Sequence, residues 1–275
     1  MATAPVPARL PRCFVWLPLV VGALLLAALY CVFYVAPPEV TMGEVQRVFY
    51  FHVASAFAGL LLFITCSLAS VAFLVTRGRP GLGALARLND RLAASAGEIG
   101  VLFGVIVLVT GPIWAKPVWG AYWTWEPRLM LMLLTVFLFV GYLVLRAYAG
   151  GDDRGKRLSA GVAVVGGPAV YLVHVAVAKW GGNHPQVLTG QGGGLAPGPM
   201  QWTFAISVAA TLVFAAYLVY TRFQHHRLVE DLEDAFLELD DADLNQTRRR
   251  APRPRVRPPA PPTAPSPLGA PEDQA

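Results

Sequence analysis

Charge is scarce in this chain. Only 14% of its 275 residues are Asp, Glu, Lys or Arg, where a soluble domain carries about a quarter, so an ordinary water-exposed globule is excluded. Cysteine is scarcer still. Cys13, Cys31 and Cys66 are the whole complement; each lies in or beside an apolar stretch, with no CxxC and no CxxCH. That spacing gives neither a cysteine-paired zinc site nor a covalently attached prosthetic group. Strict apolar-polar alternation is also missing, which excludes a transmembrane barrel, whose strands alternate over about 10 positions. No internal repeat is found.

What the chain has instead is long apolar runs. Hydrophobic residues make up 55% of it, and they gather into six segments, approximately Phe14 to Ala36, Val48 to Thr76, Leu92 to Trp114, Leu129 to Ala149, Leu158 to Ala178 and Gln201 to Thr221. Each is long enough for a bilayer core that needs about 20 helical residues. The expected fold is an all-α integral membrane protein, a six-transmembrane-helix bundle over residues 1–224. Arginine and lysine alternate between connections: Arg9, Arg12, Arg77, Arg79, Arg87, Arg91, Arg146, Arg154, Lys156, Arg157 and everything after Arg222 on one side, only Arg47, Lys116, Arg128 and Lys179 on the other. Positive charge stays inside, so both termini are expected in the cytoplasm. The first run is too long for a signal-peptide core and is read as a retained helix.

Beyond the sixth run the composition changes. Leu228, Leu232, Ala235, Phe236 and Leu239 form a stripe on an acidic segment, read as a cytoplasmic amphipathic helix over 225–245. Residues 246–275 are rich in proline and arginine and are expected to be disordered. The net charge of +5 reflects topology and this tail, whose arginines suit anionic membrane lipid. It carries no nucleic-acid inference.

The most informative stretch is Trp114 to Arg128, WAKPVWGAYWTWEPR. If it is helical after Pro117, Trp119, Tyr122, Trp123 and Glu126 share one face, an outer-side aromatic shelf ending in a carboxylate. Such a shelf suits a large flat apolar ligand; an aromatic belt at the membrane boundary is the competing reading. Gly111-Pro112 is expected to end the third helix, and Glu126-Pro127-Arg128 to start the fourth, with Arg128 a membrane-edge anchor or a contact for a ligand carboxylate.

Histidines fall near the same side. His52 in the second helix shares its face with Ser55, Ala56 and Gly59, small residues that either admit a flat ligand or pack helices. His184 follows Trp180 in a glycine-rich outer loop expected to be mobile. His174, deeper in a fifth helix expected to kink at Gly166-Gly167-Pro168, reads as a core histidine or a supporting partner. Glu98 in the third helix reads as a satisfied interhelical hydrogen bond, with a relay role as the alternative. Two neutral imidazoles can fill both axial positions of a haem iron, while indoles cover the porphyrin. His52, the tryptophans and His184 therefore fit non-covalent haem better than a belt.

These residues also carry a resemblance. WAKPVWGAYWTWEPRL, VTGPIWAKPVWG ahead of it, and MGEVQRVFYFHVASA in the second helix resemble the tryptophan-rich haem-handling proteins of cytochrome c maturation, in the haem exporter protein C (CcmC) branch. The resemblance covers about Met42 to His184, and Glu126 departs from it, standing where the family usually has aspartate. It implies axial ligation of haem b by His52 and His184, and a haem-edge platform of Trp114, Trp119, Tyr122, Trp123 and Trp125. Arg128 and Glu126 would contact haem carboxylates or a partner, with Ser55, His174 and Trp180 behind them. It implies transfer to the haem chaperone CcmE rather than catalysis, with CcmA, CcmB and CcmD as partner subunits of an ABC-type complex in a bacterial inner membrane, the site facing the periplasm. A haem-delivering synthetase component shares the motif but usually has more helices or a large outer domain. A six-helix permease or proton-relay channel with an interfacial tryptophan belt is the reading from another class.

Overall fold

The computed structural model describes residues 13–40, 42–148, 152–184 and 195–250. Six helices account for most of them: α1 (Cys13–Tyr30), α2 (Arg47–Thr76), α3 (Gly83–Trp119), α4 (Pro127–Tyr148), α5 (Asp153–Trp180) and α6 (Pro199–Arg250). Each carries a stretch long and apolar enough to cross a membrane, that of α1 running on to Val35, so the expected six-helix membrane bundle is the observed one.

Small residues let the helices approach. Gly97, Gly100 and Gly104 line one seam of α3. A Cβ at Gly100 would stand 2.9 Å from the Phe63 ring, and one at Gly104 would stand 2.8 Å from Val136. On α5, Gly166 plays the same part, its missing Cβ falling 2.8 Å from Phe139. Phe63 of α2 and Phe139 of α4 stack in the space so created, with centroids 4.1 Å apart. Membrane helices gain no hydrophobic drive from lipid, so close backbone approach of this kind supplies their packing.

The turn after α1 is opened. Ala36 N–H bonds the Cys31 carbonyl at 2.8 Å, one residue wider than an α-helical bond, and the freed carbonyls need donors. Arg47, the first residue of α2, supplies them: its guanidinium donates to the Val32 and Ala36 carbonyls and pairs with Glu44.

Several expectations change. The third helix starts at Gly83, not Leu92, because 83–91 is charged yet built of good helix formers. At its inner end Asp90, only 4% exposed, takes a bidentate contact from Arg146 of α4 at 2.7 Å and faces Lys156 of α5 at 3.5 Å. Gly111-Pro112 does not end α3. The helix runs through Pro112 and Pro117 to Trp119, since each proline removes only one donor. It stops at Gly120, whose φ of +73° is the left-handed cap. α5 likewise continues through Pro168.

Glu98 is satisfied as an interhelical contact: Arg222 and His226 of α6 both reach it, His226 Nε2 at 3.1 Å. Two compact units divide the chain, residues 1–229 and 230–275. The segment drawn as a separate amphipathic helix over 225–245 belongs to the continuous α6, which includes 246–250. Leu232, Phe236 and Leu239 are exposed on it. The rest of the proline-rich tail, 251–275, lies outside the described residues, as does most of the glycine-rich loop, 185–194.

Candidate functional site

A cavity opens where α3 ends, α4 begins and α5 ends. It holds about 650 Å³ of space, its open mouth included. His52, Trp114, Trp119, Trp123, Arg128 and His184 line it, so the structure brings together the two histidines, three of the tryptophans and the arginine singled out from sequence. Ala56, Leu60, Met132 and Val173 supply apolar wall.

His52 is fixed by a residue that the sequence did not single out. Its Nδ1 lies 2.9 Å from the Thr110 hydroxyl of α3. That hydroxyl donates its own proton to the Ile106 carbonyl at 2.7 Å, so toward His52 it can only accept. Nδ1 therefore carries the hydrogen, and Nε2 keeps a free lone pair. Gly111, beside Thr110, gives the ring its room: a Cβ there would stand 3.2 Å from His52 Cε1. Of the small residues sharing His52's face, Ala56 lines the cavity, whereas Gly59 packs on Phe103 and Gly104 of α3. Ser55 is buried but does not line the cavity.

His184 sits on a short link past α5. Gly181 caps that helix at φ +74°, and Gly182 follows at φ +142°, values that favour glycine. Glu126, 8% exposed, holds the link: its Oε2 accepts from Asn183 N–H at 2.7 Å. A Cβ on Gly182 would fall 2.9 Å from that oxygen. Glu126 Oε1 faces His184 Nδ1 at 3.8 Å, too far for a hydrogen bond, and both atoms are buried without a partner. Burial, then the positive charge of Arg128 and the nearby His52, pushes the His184 imidazole down to about 3. It is neutral at physiological pH and able to donate a lone pair.

The aromatics do not form one helical face. Helix α3 ends at Trp119, and residues 120–126 are irregular until Pro127 starts α4 on a carbonyl of Glu126, bonded by Met130 N–H at 3.1 Å. Trp114 stands edge-on to Trp119 at 5.8 Å, and Trp119 edge-on to His184 at 6.1 Å. The ring nitrogens of Trp114 and Trp123 are buried with no acceptor. Tyr122 and Trp125 turn outward instead, 62% and 79% exposed. Tyr122 lies under Lys116, and Trp125 against the edge of Trp123. Trp180 and His174 are exposed too, and neither lines the cavity; the wall position on that turn of α5 belongs to Val173. His174 is thus not a core histidine. Arg128, half-buried in the lining, makes no hydrogen bond or salt bridge to a described residue.

Known proteins resemble this chain in sequence. Residues 6–236 match the sequence model of the family described as Heme exporter protein C. Among curated proteins, the chain is 33% identical over 150 residues to Heme exporter protein C of Escherichia coli K12, covering 54% of this chain and 58% of that one. It is 30% identical over 167 residues to Heme exporter protein C of Rhodobacter capsulatus, covering 60% and 66%. A putative cytochrome c biosynthesis ccmC-like mitochondrial protein of Marchantia polymorpha is 38% identical over 116 residues, 42% of this chain and 47% of that one. The chain thus spans about half the length of the first curated relatives it matches.

Proposed function

The chain belongs to the Heme exporter protein C family, and from that premise we propose that it holds haem non-covalently between His52 and His184. The haem lies at the outer, periplasmic end of the bundle and is passed to the haem chaperone CcmE during cytochrome c maturation. The carrying observation is the hydrogen bond that occupies His52 Nδ1 and leaves the Nε2 lone pair available, on a ring that lines the same cavity as His184. Among the described residues no group of three or more His, Cys, Asp or Glu could hold a bare metal ion. Two imidazoles suit a metal that brings its other ligands with it, as a porphyrin iron does.

The remaining walls fit the same cargo. Trp114, Trp119 and Trp123 offer indole to an apolar ring system and two unmatched N–H donors to its polar edge. Arg128 is the cationic complement of a haem carboxylate, since a guanidinium that feels the charge of Glu126 but makes no ion pair with a described residue can accept one from a ligand. As cargo, haem would be gripped, covered and released; no bond within it need change, so the protein is a transfer subunit and not an enzyme. On this reading it works beside the ABC-type subunits CcmA and CcmB and the small CcmD in the bacterial inner membrane. The permease reading finds no support, because Glu98, the group it would need at depth, is bound by Arg222 and His226.

Absorption spectra of the detergent-purified protein, oxidised and reduced, test the reading. A low-spin Soret band and sharp reduced bands that weaken in both His52→Ala and His184→Ala are expected. Absence of any chromophore after haem addition would overturn it.

A further inference from the structure

The two histidines that line the cavity are served by unlike partners. His52 Nδ1 meets a neutral hydroxyl, Thr110 Oγ1, at 2.9 Å. His184 Nδ1 faces a carboxylate oxygen, Glu126 Oε1, at 3.8 Å, and both of those atoms are buried and unmatched. Each unmatched buried polar atom costs free energy until it finds a partner. Shortening the gap by about 1 Å would bring the pair to charge-assisted hydrogen-bond distance. The rest of the carboxylate is already seated. Its second oxygen accepts from Asn183 N–H at 2.7 Å, and Gly182 is the residue whose lack of a Cβ lets it lie there. Glu126 immediately precedes α4, so the seat belongs to the bundle while His184 belongs to the link. The link is the part with freedom to close the gap, since Gly181 and Gly182 precede the histidine.

We propose that Glu126 is a positioning residue: it accepts the Nδ1–H of His184, turns Nε2 toward the cavity, and makes His184 the stronger of the two axial ligands. The proposal rests on the haem reading above and names the role of a residue within that site. A carboxylate partner raises the basicity of an imidazole that ligates metal, whereas a neutral hydroxyl fixes the tautomer and adds less basicity. His184 would then hold a haem iron more tightly than His52 does, so the His52 side would be the one at which an incoming ligand exchanges. There one iron–nitrogen bond would be replaced by one bond to that ligand, with no change of oxidation state and no proton transferred.

Three variants test this: Glu126→Gln, Glu126→Asp and His184→Ala. In haem-free protein labelled with ¹⁵N histidine, NMR is expected to find His184 as the Nδ1–H tautomer, shifting toward a mixture in Glu126→Gln while the His52 signals stay. An Nε2–H tautomer in the parent protein overturns the proposal. In haem-loaded protein, Glu126→Gln is expected to speed haem loss to an apoglobin acceptor by about ten- to a hundred-fold. It should also raise the midpoint potential of the iron, with Glu126→Asp recovering most of both. Faster haem loss at an unchanged potential would mean that Glu126 only supports the link, and would overturn the proposal. His184→Ala separates the two claims: full haem retention there sinks the haem site itself, while the tautomer of the haem-free parent protein still decides the role of Glu126.

Discussion

His52 Nδ1 and the Thr110 hydroxyl stand 2.9 Å apart across the α2–α3 interface, and the hydroxyl proton is already directed to Ile106. The pair sets which ring nitrogen of His52 is free. Thr110→Val keeps the shape of the side chain and removes the acceptor, so haem affinity in an absorption titration should fall by about ten-fold or more. Thr110→Ser should stay near the parent. Equal affinity in Thr110→Val would show that the tautomer is set by something else.

Gly111 should be intolerant of a methyl group. Its Cβ would meet His52 Cε1 at 3.2 Å, tighter than the ring can accept without turning away from Thr110. Gly111→Ala is expected to weaken the Soret band of bound haem while the protein still elutes as a folded species. Gly141→Ala, where a Cβ meets nothing within 4 Å, should bind haem as the parent does.

The inner end of the bundle depends on Asp90. Removing one partner of a buried ion pair typically costs about 3–5 kcal/mol, because the other charge is left uncompensated. Asp90→Ala leaves Arg146, 17% exposed, and Lys156 facing an empty site. A thermal melt in detergent should show a large loss. Asp90→Ala combined with Arg146→Met should recover part of it; no recovery would mean that the cost is one of packing.

Packing at the α4–α5 contact is tested by glycine alone. Gly166→Ala places a Cβ 2.8 Å from the Phe139 ring, whereas Gly161→Ala on the same helix meets nothing. Overpacking costs about 1–3 kcal/mol, while alanine in an open helical position gains up to about 1 kcal/mol. The two variants should therefore move the melting temperature in opposite directions.

Acid should act on His184. Its folded value of about 3 lies below the ordinary 6.5, so between those limits the unfolded chain binds a proton that the folded one does not. Stability from this group is complete above about pH 6.5 and is lost as the pH falls toward 3. The loss in melting temperature between pH 7 and pH 5 should be smaller in His184→Gln than in the parent. An equal loss would mean that His184 takes up its proton in the fold as readily as in water.

The six spans were legible because membrane helices announce themselves as continuous apolar runs. Their ends were not. Gly111-Pro112 carries a stop signal that α3 overrides, and Gly120 carries the true one, visible only once the left-handed φ is known. His52, His184 and the indoles could be named from residue type and side of the membrane. Which tryptophans face inward could not, because the helical period assumed for Tyr122 and Trp123 fails when the chain leaves the helix at Gly120. Thr110 gave no signal, since its partner lies 58 residues away in sequence. His174 was misjudged for a related reason. Its depth along the fifth helix argued for a core histidine or a supporting partner, but Val173 takes the inward position on that turn.

Gly181 and Gly182 put His184 four residues beyond the end of α5. So short a tether confines the imidazole to a radius of about 14 Å. On the proposed reading, when its bond to iron breaks the ring remains present at an effective concentration on the order of millimolar or more. Recapture then outruns diffusion of the cargo into the surroundings, and dilution alone will not empty the site. Loss should follow the concentration of a competing ligand, and a dissociation rate measured without one will understate how fast the protein gives up what it carries.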